Sequence, residues 1–321
     1  MSRDRAGKPG TTGLVSFVMP VWEGRPNWLV EAVESTLGQV ACRLELIVVD
    51  DGCADPVANT LAGIPDERLR ILRTDHGGPY RARNAGFAAS RGDWIRFVDS
   101  DDLIERSSTA RLLRLLGEAD DVIAYGATLV CDEQLRPRKT VVSSVQGDAR
   151  RACLLGRFNV YLPSLLFPRA VLDATGEWEP VFPVSGDWDF VLRSLDHARV
   201  RGDASIATYY RRHPSSFTRG ASIAAGEDAA RRIQRRYFER HPSERGTKLH
   251  RQADAAVSID RGLAYAYVGN HRACLTRLGR ALALDPSAGT KAIARLFVER
   301  VHRGTRAFLR DARRLSPRIR G

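Results

Sequence analysis

The feature that most constrains this chain is a set of short apolar runs that each stop at polar or acidic residues, with helical patterns between them. Leu14-Val15-Ser16-Phe17-Val18-Met19 stops at Pro20, and Val21-Trp22-Glu23 follows. Leu44-Glu45-Leu46-Ile47-Val48-Val49 stops at Asp50-Asp51-Gly52, and Trp94-Ile95-Arg96-Phe97-Val98 stops at Asp99. Runs of this length, bounded by turn residues, read as buried strands. Residues 27–39 place Leu29, Val30, Val33 and Leu37 at helical spacing. Residues 79–90 read as a helix whose Ala82, Ala85, Ala88 and Ala89 permit close packing, and 107–117 as an amphipathic helix. Ile71-Leu72 reads as a short further strand and 122–130 as another. Strands alternating with helices are the signature of a parallel sheet. In open sheets of this kind ligands bind beyond the carboxyl ends of the strands. The acidic strand ends are therefore expected to line one crevice.

Past this core the pattern weakens. Residues 131–150 read as loop, and 151–220 as irregular, with one helix expected over 188–195. From 226 onward the text is helical and basic. Residues 226–321 hold 22 Lys and Arg against 9 Asp and Glu, a surplus that accounts for the whole chain's formal +12. Such a tail suits an anionic membrane face or a polyanion, or else is a set of solvated arginine-rich helix faces. Few aromatics interleave with its arginines, which argues against single-stranded nucleic acid. Arg261 to Pro286 resembles one tetratricopeptide-like helical hairpin.

The five cysteines contain no C-x-x-C pair, which argues against a zinc ribbon and fits a reducing cytoplasm. Residues 1–13 are polar and read as a disordered lead-in without a signal peptide. No apolar run approaches the ~20 residues of a membrane helix, so the expected location is cytoplasmic, with any membrane contact peripheral on the inner face.

The chemistry concentrates at Asp99-Ser100-Asp101-Asp102, just after a buried strand. Carboxylates crowded there repel one another, and a divalent cation relieves the repulsion. Carboxylate oxygens suit Mg²⁺ or Mn²⁺, which complete their shells with substrate phosphates. The plainer reading is a helix N-cap ahead of Leu103, and Asp102 fits that role. Gly77-Gly78, leading into a helix with Arg81 and Arg83, reads as an anion site or as a simple loop.

Five segments in order resemble the motif set of family 2 glycosyltransferases of the GT-A fold. They are Val15 to Pro20; Ser35-x-Leu37-x-Gln39; Glu45 to Gly52; Gly77-Gly78 with Ala82-Arg83-Asn84-x-Gly86; and Gly92 to Asp102. The resemblance implies an α/β, Rossmann-like, mostly parallel sheet flanked by helices, with a C-terminal helical extension. Residues 14–125 would bind the nucleotide-sugar, 126–225 the acceptor, and 226–321 would be the basic extension. Pro20, Val21, Trp22, Glu23 and Asp51 would hold the nucleotide base. Trp22 stands where the family often has Tyr, and Glu23 where Asn is common. Arg83 would approach the base or diphosphate, and Asp99, with Ser100 beside it, the ribose. Asp101 would ligate Mn²⁺ or Mg²⁺, with Asp99 and His213 as further ligands.

Gly186-Asp187-Trp188-Asp189 is similar to the family's Glu-Asp motif, with Gly186 in place of the Glu. Asp187 would be the general base of an inverting single displacement; alone, it fits a helix N-cap equally well. Tyr209 to Thr218 resembles the Tyr-Arg-x-His segment that follows in the family, and a lone His213 is otherwise a structural residue. The expected activity is metal-dependent transfer from a nucleoside-diphosphate sugar, UDP favoured, to a glycan, a lipid-linked saccharide or a small molecule. The alternative, suggested by Gly186, is a sugar-nucleotide-binding or regulatory protein without turnover.

Overall fold

The structure is a computed structural model that describes residues 13–182, 184–214, 216, 222–294 and 296. The chain divides into two compact units, Met1–Ala221 and Ser222–Gly321. The lead-in expected over 1–13 falls outside the described residues except for Gly13. Ser215, Phe217 and Thr218 of the Tyr-Arg-x-His segment and most of the tail past 294 also fall outside them.

The first unit begins as the sequence predicts. Strand β1 (Leu14–Val21) leads to helix α1 (Pro26–Leu37), strand β2 (Arg43–Asp51), short helix α2 (Val57–Leu61) and strand β3 (Leu69–Thr74). Helix α3 (Pro79–Ala89) and strand β4 (Trp94–Phe97) follow. β1 lies between β2 and β4, parallel to both, and β3 adds parallel to β2. A strand paired on both sides and covered on both faces reads as a continuous apolar run. Val15, Phe17, Val18 and Met19 are accordingly fully buried. The small residues of α3 let it lie directly on the sheet. A Cβ at Gly86 would stand 2.4 Å from Val18 Cγ1, and Ala82 packs with Ile47 and Val49.

Beyond β4 the helices expected over 107–117 and 188–195 and the strand expected over 122–130 are present, and the structure adds elements that were not expected. Strand β5 is only Leu103–Ile104; helix α4 (Ser108–Leu116) and strand β6 (Val122–Cys131) come next. The segment expected to be loop contains strand β7 (Pro137–Val141), antiparallel to β6. The segment expected to be irregular holds α5 (Arg150–Leu154), strand β8 (Leu165–Pro168), α6 (Arg169–Thr175), α7 (Gly186–Ser194) and strand β9 (Arg199–Arg211). β9 is the longest strand of the unit at 13 residues. It runs parallel to β6 and antiparallel to β5, with register shifts beside Tyr125 and Ala127. Much of it is exposed or half-buried, so no apolar run marks it, and its partners lie far away in sequence. The sheet order is β3-β2-β1-β4-β8-β6-β9-β5, with β7 on β6. The class is the expected α/β one. Within it, the continuous parallel part is β1 to β4, and β8 joins β4 antiparallel.

One buried cation ties the two halves of this sheet together. Arg96 on β4 is fully buried. Its guanidinium donates to Pro163 O (2.9 Å), Ser108 Oγ (2.9 Å), Thr109 Oγ1 (2.8 Å) and Ala207 O (2.9 Å). Thr109 Oγ1 in turn donates to Gln39 Oε1 at 2.6 Å, and Gln39 Nε2 donates to Glu105 O. Burial pushes Arg96 down to about 9, which leaves it charged at neutral pH. A charge without a carboxylate partner is held here by neutral acceptors alone.

The second unit contains α8 (Ile223–Arg240), α9 (Lys248–Tyr267) and α10 (His271–Leu284), with further helical residues over 286–294. α9 and α10 form one helical hairpin through Gly269 (φ +79°), with Asn270 capping Ala273 N. Leu278 of α10 would meet a Cβ at Gly262 at 3.2 Å, so the two helices pass closely at that crossing. Several arginines are neutralised within the unit. Glu227 accepts from Arg231 (2.9 Å) and Arg277 (2.8 Å), and Asp228 from Arg232 (3.0 Å). Among the described residues no helix is long and apolar enough to cross a membrane.

Replacing Arg96 with Ala removes its hydrogen bonds to Pro163 O, Ser108 Oγ, Thr109 Oγ1 and Ala207 O inside the core. The expected loss is about 3 kcal/mol or more, read as the urea midpoint of the intact chain. A midpoint within error of the wild type would show that Arg96 ties nothing together.

Candidate active site

The parallel registers of β1, β2 and β4 bring their carboxyl ends to one edge, since Val21 pairs with Asp50 and Val18 with Phe97. The residues expected to bind the base divide there. Pro20 lies inside β1 opposite Val49, half-buried, so the strand does not stop at it. Val21 turns its side chain into the apolar core and has no side-chain surface for a ligand. Trp22 is 54% exposed at the edge and stacks on His76, with ring centroids 4.7 Å apart. Glu23 adopts φ +48° and accepts from Ala54 N at 3.0 Å.

Asp51 corrects the reading of the glycine turn. Its carboxylate accepts from Gly77 N (2.8 Å) and Gly78 N (2.9 Å), with His76 Nδ1 3.0 Å away. The Gly77-Gly78 amides, expected to greet a ligand's anion, already hold one from the chain itself. Gly78 needs its φ of +85° to present that amide, a conformation side chains resist. Asp50 is structural. It accepts from Cys53 N (2.9 Å) and Val57 N (3.0 Å) and pairs with Arg73 (2.8 Å). His76 was not singled out from the sequence, because a lone His ahead of two glycines carries no pattern.

The acidic cluster separates into three fates. Asp99 Oδ1 pairs with Arg83 Nη2 at 2.7 Å, with Ser100 half-buried after it. Asp101 Oδ2 lies 2.7 Å from Nε2 of the buried His213, whose ring leans on Trp28. Burial and Asp99 raise the Asp101 carboxyl, and His213 opposes the rise. Asp102 is buried and is no helix cap, because β5 rather than a helix follows it and α4 begins only at Ser108. Its Oδ1 accepts from Arg211 N at 2.8 Å, and its Oδ2 has no hydrogen-bond partner. Burial, reinforced by Asp101 and Asp99, holds the Asp102 carboxyl well above the usual range. Arg211, also buried, donates to Asp101 O, Glu133 O and Glu31 Oε2 and lies over Trp28.

Asp99, Asp101 and His213 thus lie on one edge, bound pairwise. Among the described residues no three His, Cys, Asp or Glu side chains by themselves form a metal-holding group. Two carboxylates and an imidazole are nonetheless the right donors for Mn²⁺ or Mg²⁺ when phosphate oxygens supply the rest.

The segment that follows β8 meets this edge through Trp178. Asn84 of α3 clamps it, donating to Trp178 O (3.0 Å) and accepting from Trp178 N (2.8 Å). Arg83 lies 4.9 Å over the Trp178 ring, which stacks on Phe190 of α7 at 3.8 Å. Asp187 stands in the first turn of α7, its Oδ1 accepting from Trp188 N. It is open to solvent, yet the protein packed around it raises its carboxyl above the ordinary value. Trp188 N–H and Arg83 oppose the rise, and Asp99 adds to it. Asp187, Arg83 and Asp99 are therefore in mutual electrostatic reach. Gly186 N donates to Tyr80 Oη at 2.9 Å. Neither Tyr80 nor Trp178 was given a role from the sequence, since each reads as one more core aromatic.

The sequence is similar to known glycosyltransferases. The Glycosyl transferase family 2 model matches residues 16–163. That segment, just under half of the chain, is similar to family 2 glycosyltransferases. Succinoglycan biosynthesis protein ExoO of Rhizobium meliloti is 40% identical over 119 residues, 37% of this chain and 32% of ExoO. An uncharacterized glycosyltransferase of Haemophilus influenzae is 32% identical over 138 residues, 42% of this chain and 55% of that protein. The chain therefore spans about a third to just over half the length of these curated relatives. Staphylococcus aureus TarS superposes with a TM-score of 0.57 at 14% identity, covering 87% of this chain and 50% of TarS. TarS 1–349 in complex with UDP-GlcNAc gives 0.54 at 15% identity, covering 84% and 91%. These likenesses establish the GT-A fold for this chain.

Asp50 predicts an acid-dependent loss of stability. Burial alone would raise its carboxyl, but the Cys53 and Val57 amides and Arg73 lower it below the usual value. A lowered folded value means that the stabilisation is complete above about pH 4 and drains away as pH falls through the folded value. In Asp50→Asn this linkage is absent. The stability gap between wild type and variant, from urea midpoints, is expected to narrow as pH falls below about 4; parallel acid limbs would rule it out.

Proposed function

We propose that this chain transfers a sugar from a nucleoside-diphosphate sugar to an acceptor hydroxyl by single displacement with inversion at the anomeric carbon. The observation that carries this reading is the convergence of Asp187 from the acceptor half with Arg83 and Asp99 from the donor half. Asp187 takes the proton of the acceptor hydroxyl as its oxygen bonds to the anomeric carbon. The bond to the diphosphate oxygen breaks, and the nucleoside diphosphate leaves. Arg83 offers its cation to that departing charge. The exposed Trp22 face, stacked on His76, offers a platform for the base. Asp101 and Asp99, with His213, would hold Mn²⁺ or Mg²⁺, which when bound neutralises the leaving diphosphate.

Uridine is the favoured base, an assignment supported only by the fold shared with TarS, whose structure contains UDP-GlcNAc. A growing glycan or lipid-linked saccharide is the favoured acceptor, in keeping with the name of the ExoO relative. The basic surplus of 226–321 supports peripheral contact with an anionic membrane face. Retention of Asp187, despite Gly186 at the preceding position, favours an enzyme over a binding protein without turnover.

The test is release of nucleoside diphosphate from UDP, GDP, CDP and dTDP sugars with Mn²⁺ and with EDTA. Turnover is expected with a UDP-sugar and is expected to stop in EDTA. Asp187→Asn should cut it by roughly 10²- to 10⁴-fold. In wild type, activity should rise with pH through a value above the ordinary carboxylate range, because only the ionised form accepts a proton. The raised carboxyl also means that ionised Asp187 opposes folding at neutral pH, so Asp187→Asn should not lower the thermal midpoint there. No release from any donor under either condition would overturn the reading.

A further inference from the structure

The Gly186 position raises a question that the proposed reaction leaves open: what fixes the direction of Asp187 when the residue before it has no side chain? Tyr80, in the first turn of α3, occupies that space. A Cβ at Gly186 would stand 2.4 Å from Tyr80 Cζ and 2.8 Å from Cε1 and Cε2. These distances are below any real contact, and they involve the body of a ring rather than a flexible tip. Tyr80 is itself 8% exposed and lies flat against Trp178, 5.8 Å away at an interplanar angle of 6°. Its ring has no room to retreat, so the two positions exclude each other's bulk. The hydroxyl then makes the contact that the ring permits, accepting from Gly186 N at 2.9 Å. That amide belongs to the first turn of a helix, where N–H groups have no partner inside the helix. Ser185, the residue before it, is in the left-handed region at φ +63° and its side chain makes no cap hydrogen bond. Tyr80 therefore does part of the capping for α7, from a different helix.

We propose that Tyr80 is the positioning residue for Asp187: it replaces, from α3, a side chain at position 186 as the anchor for the start of the base-bearing helix. This rests on the proposed role of Asp187 as the base. The same α3 turn carries Arg83, whose guanidinium lies over Trp178 and pairs with Asp99. One rigid turn of helix thus sets the donor-side cation and the acceptor-side base relative to each other. Burial, together with the nearby Asp187 charge, raises the Tyr80 phenol, so it remains a neutral hydroxyl across the working pH range.

The experiment is a double-mutant cycle with two readouts. Gly186→Ala in the wild-type background is expected to lower the thermal midpoint of the full chain by about 2 °C or more, since overpacking strains the site. In a Tyr80→Ala background the same change is expected to cost nothing further. Tyr80→Phe keeps the ring and removes only the hydroxyl. It is expected to lower kcat on the order of 10-fold or more, with KM for the donor sugar unchanged. A purely structural tyrosine would leave kcat alone. Additive midpoint losses in the cycle, or full kcat in Tyr80→Phe, would overturn the assignment. The midpoint cycle needs no turnover, so it tests the Tyr80–Gly186 pairing even in a chain that transfers nothing. Absence of turnover in the wild type would instead overturn the function reading.

Discussion

Carboxylates gathered at the end of a parallel sheet need partners, and this need organises the first unit. Asp50 and Asp51 end β2, and Asp99, Asp101 and Asp102 follow β4. Left alone, such groups repel one another and resist burial. Each has instead drawn a specific partner. Asp50 takes two loop amides and Arg73, and Asp51 takes the two amides of the Gly77-Gly78 turn. Asp99 takes Arg83, Asp101 takes His213, and Asp102 takes the backbone of Arg211. Two of these partners come from the end of β9 and the residues after it, more than a hundred positions away. The acidic edge is thereby a reason for the second half of the unit to fold back on the first.

The partners also differ in how completely they occupy their carboxylates. Asp50 and Asp51 are buried and saturated by the chain, so they shape the edge. Asp99 and Asp101 are each bound on one side and remain partly exposed. A ligand or ion can therefore compete for those two, and only those two, without unfolding a loop. Asp102 lies beneath them with one oxygen unpaired, and burial with the neighbouring Asp101 and Asp99 raises its carboxyl well above the usual range. Site and scaffold are separated by burial and not by residue type.

The side of the cleft that carries Asp187 is organised by aromatic packing. Trp178 is held at its backbone by Asn84, at one face by Phe190 and over its ring by Arg83. Tyr80 lies flat beside it and receives the first amide of α7. The absent side chain at Gly186 is therefore a steric requirement of Tyr80 and not a mark of decay in the site.

The sequence by itself determined the parallel core and carried the resemblance to a glycosyltransferase family. β1, β2, β4 and α3 are legible because burial on both faces forces continuous apolar runs, and close packing forces Gly86 and its neighbouring alanines. The ordered motifs likewise led to the expectation that Asp99, Asp101, Asp187 and His213 share one site. Tertiary structure alone decided the rest. β7, β8 and β9 are short, polar or half-exposed, and their pairing energy comes from distant strands that no local period records. It also decided that the Gly77-Gly78 amides serve Asp51 and that Asp102 serves Arg211 rather than a helix. The same holds for Tyr80 at Gly186. In each case a local pattern states what a residue can bind, while the partner it meets is set by contacts across the fold.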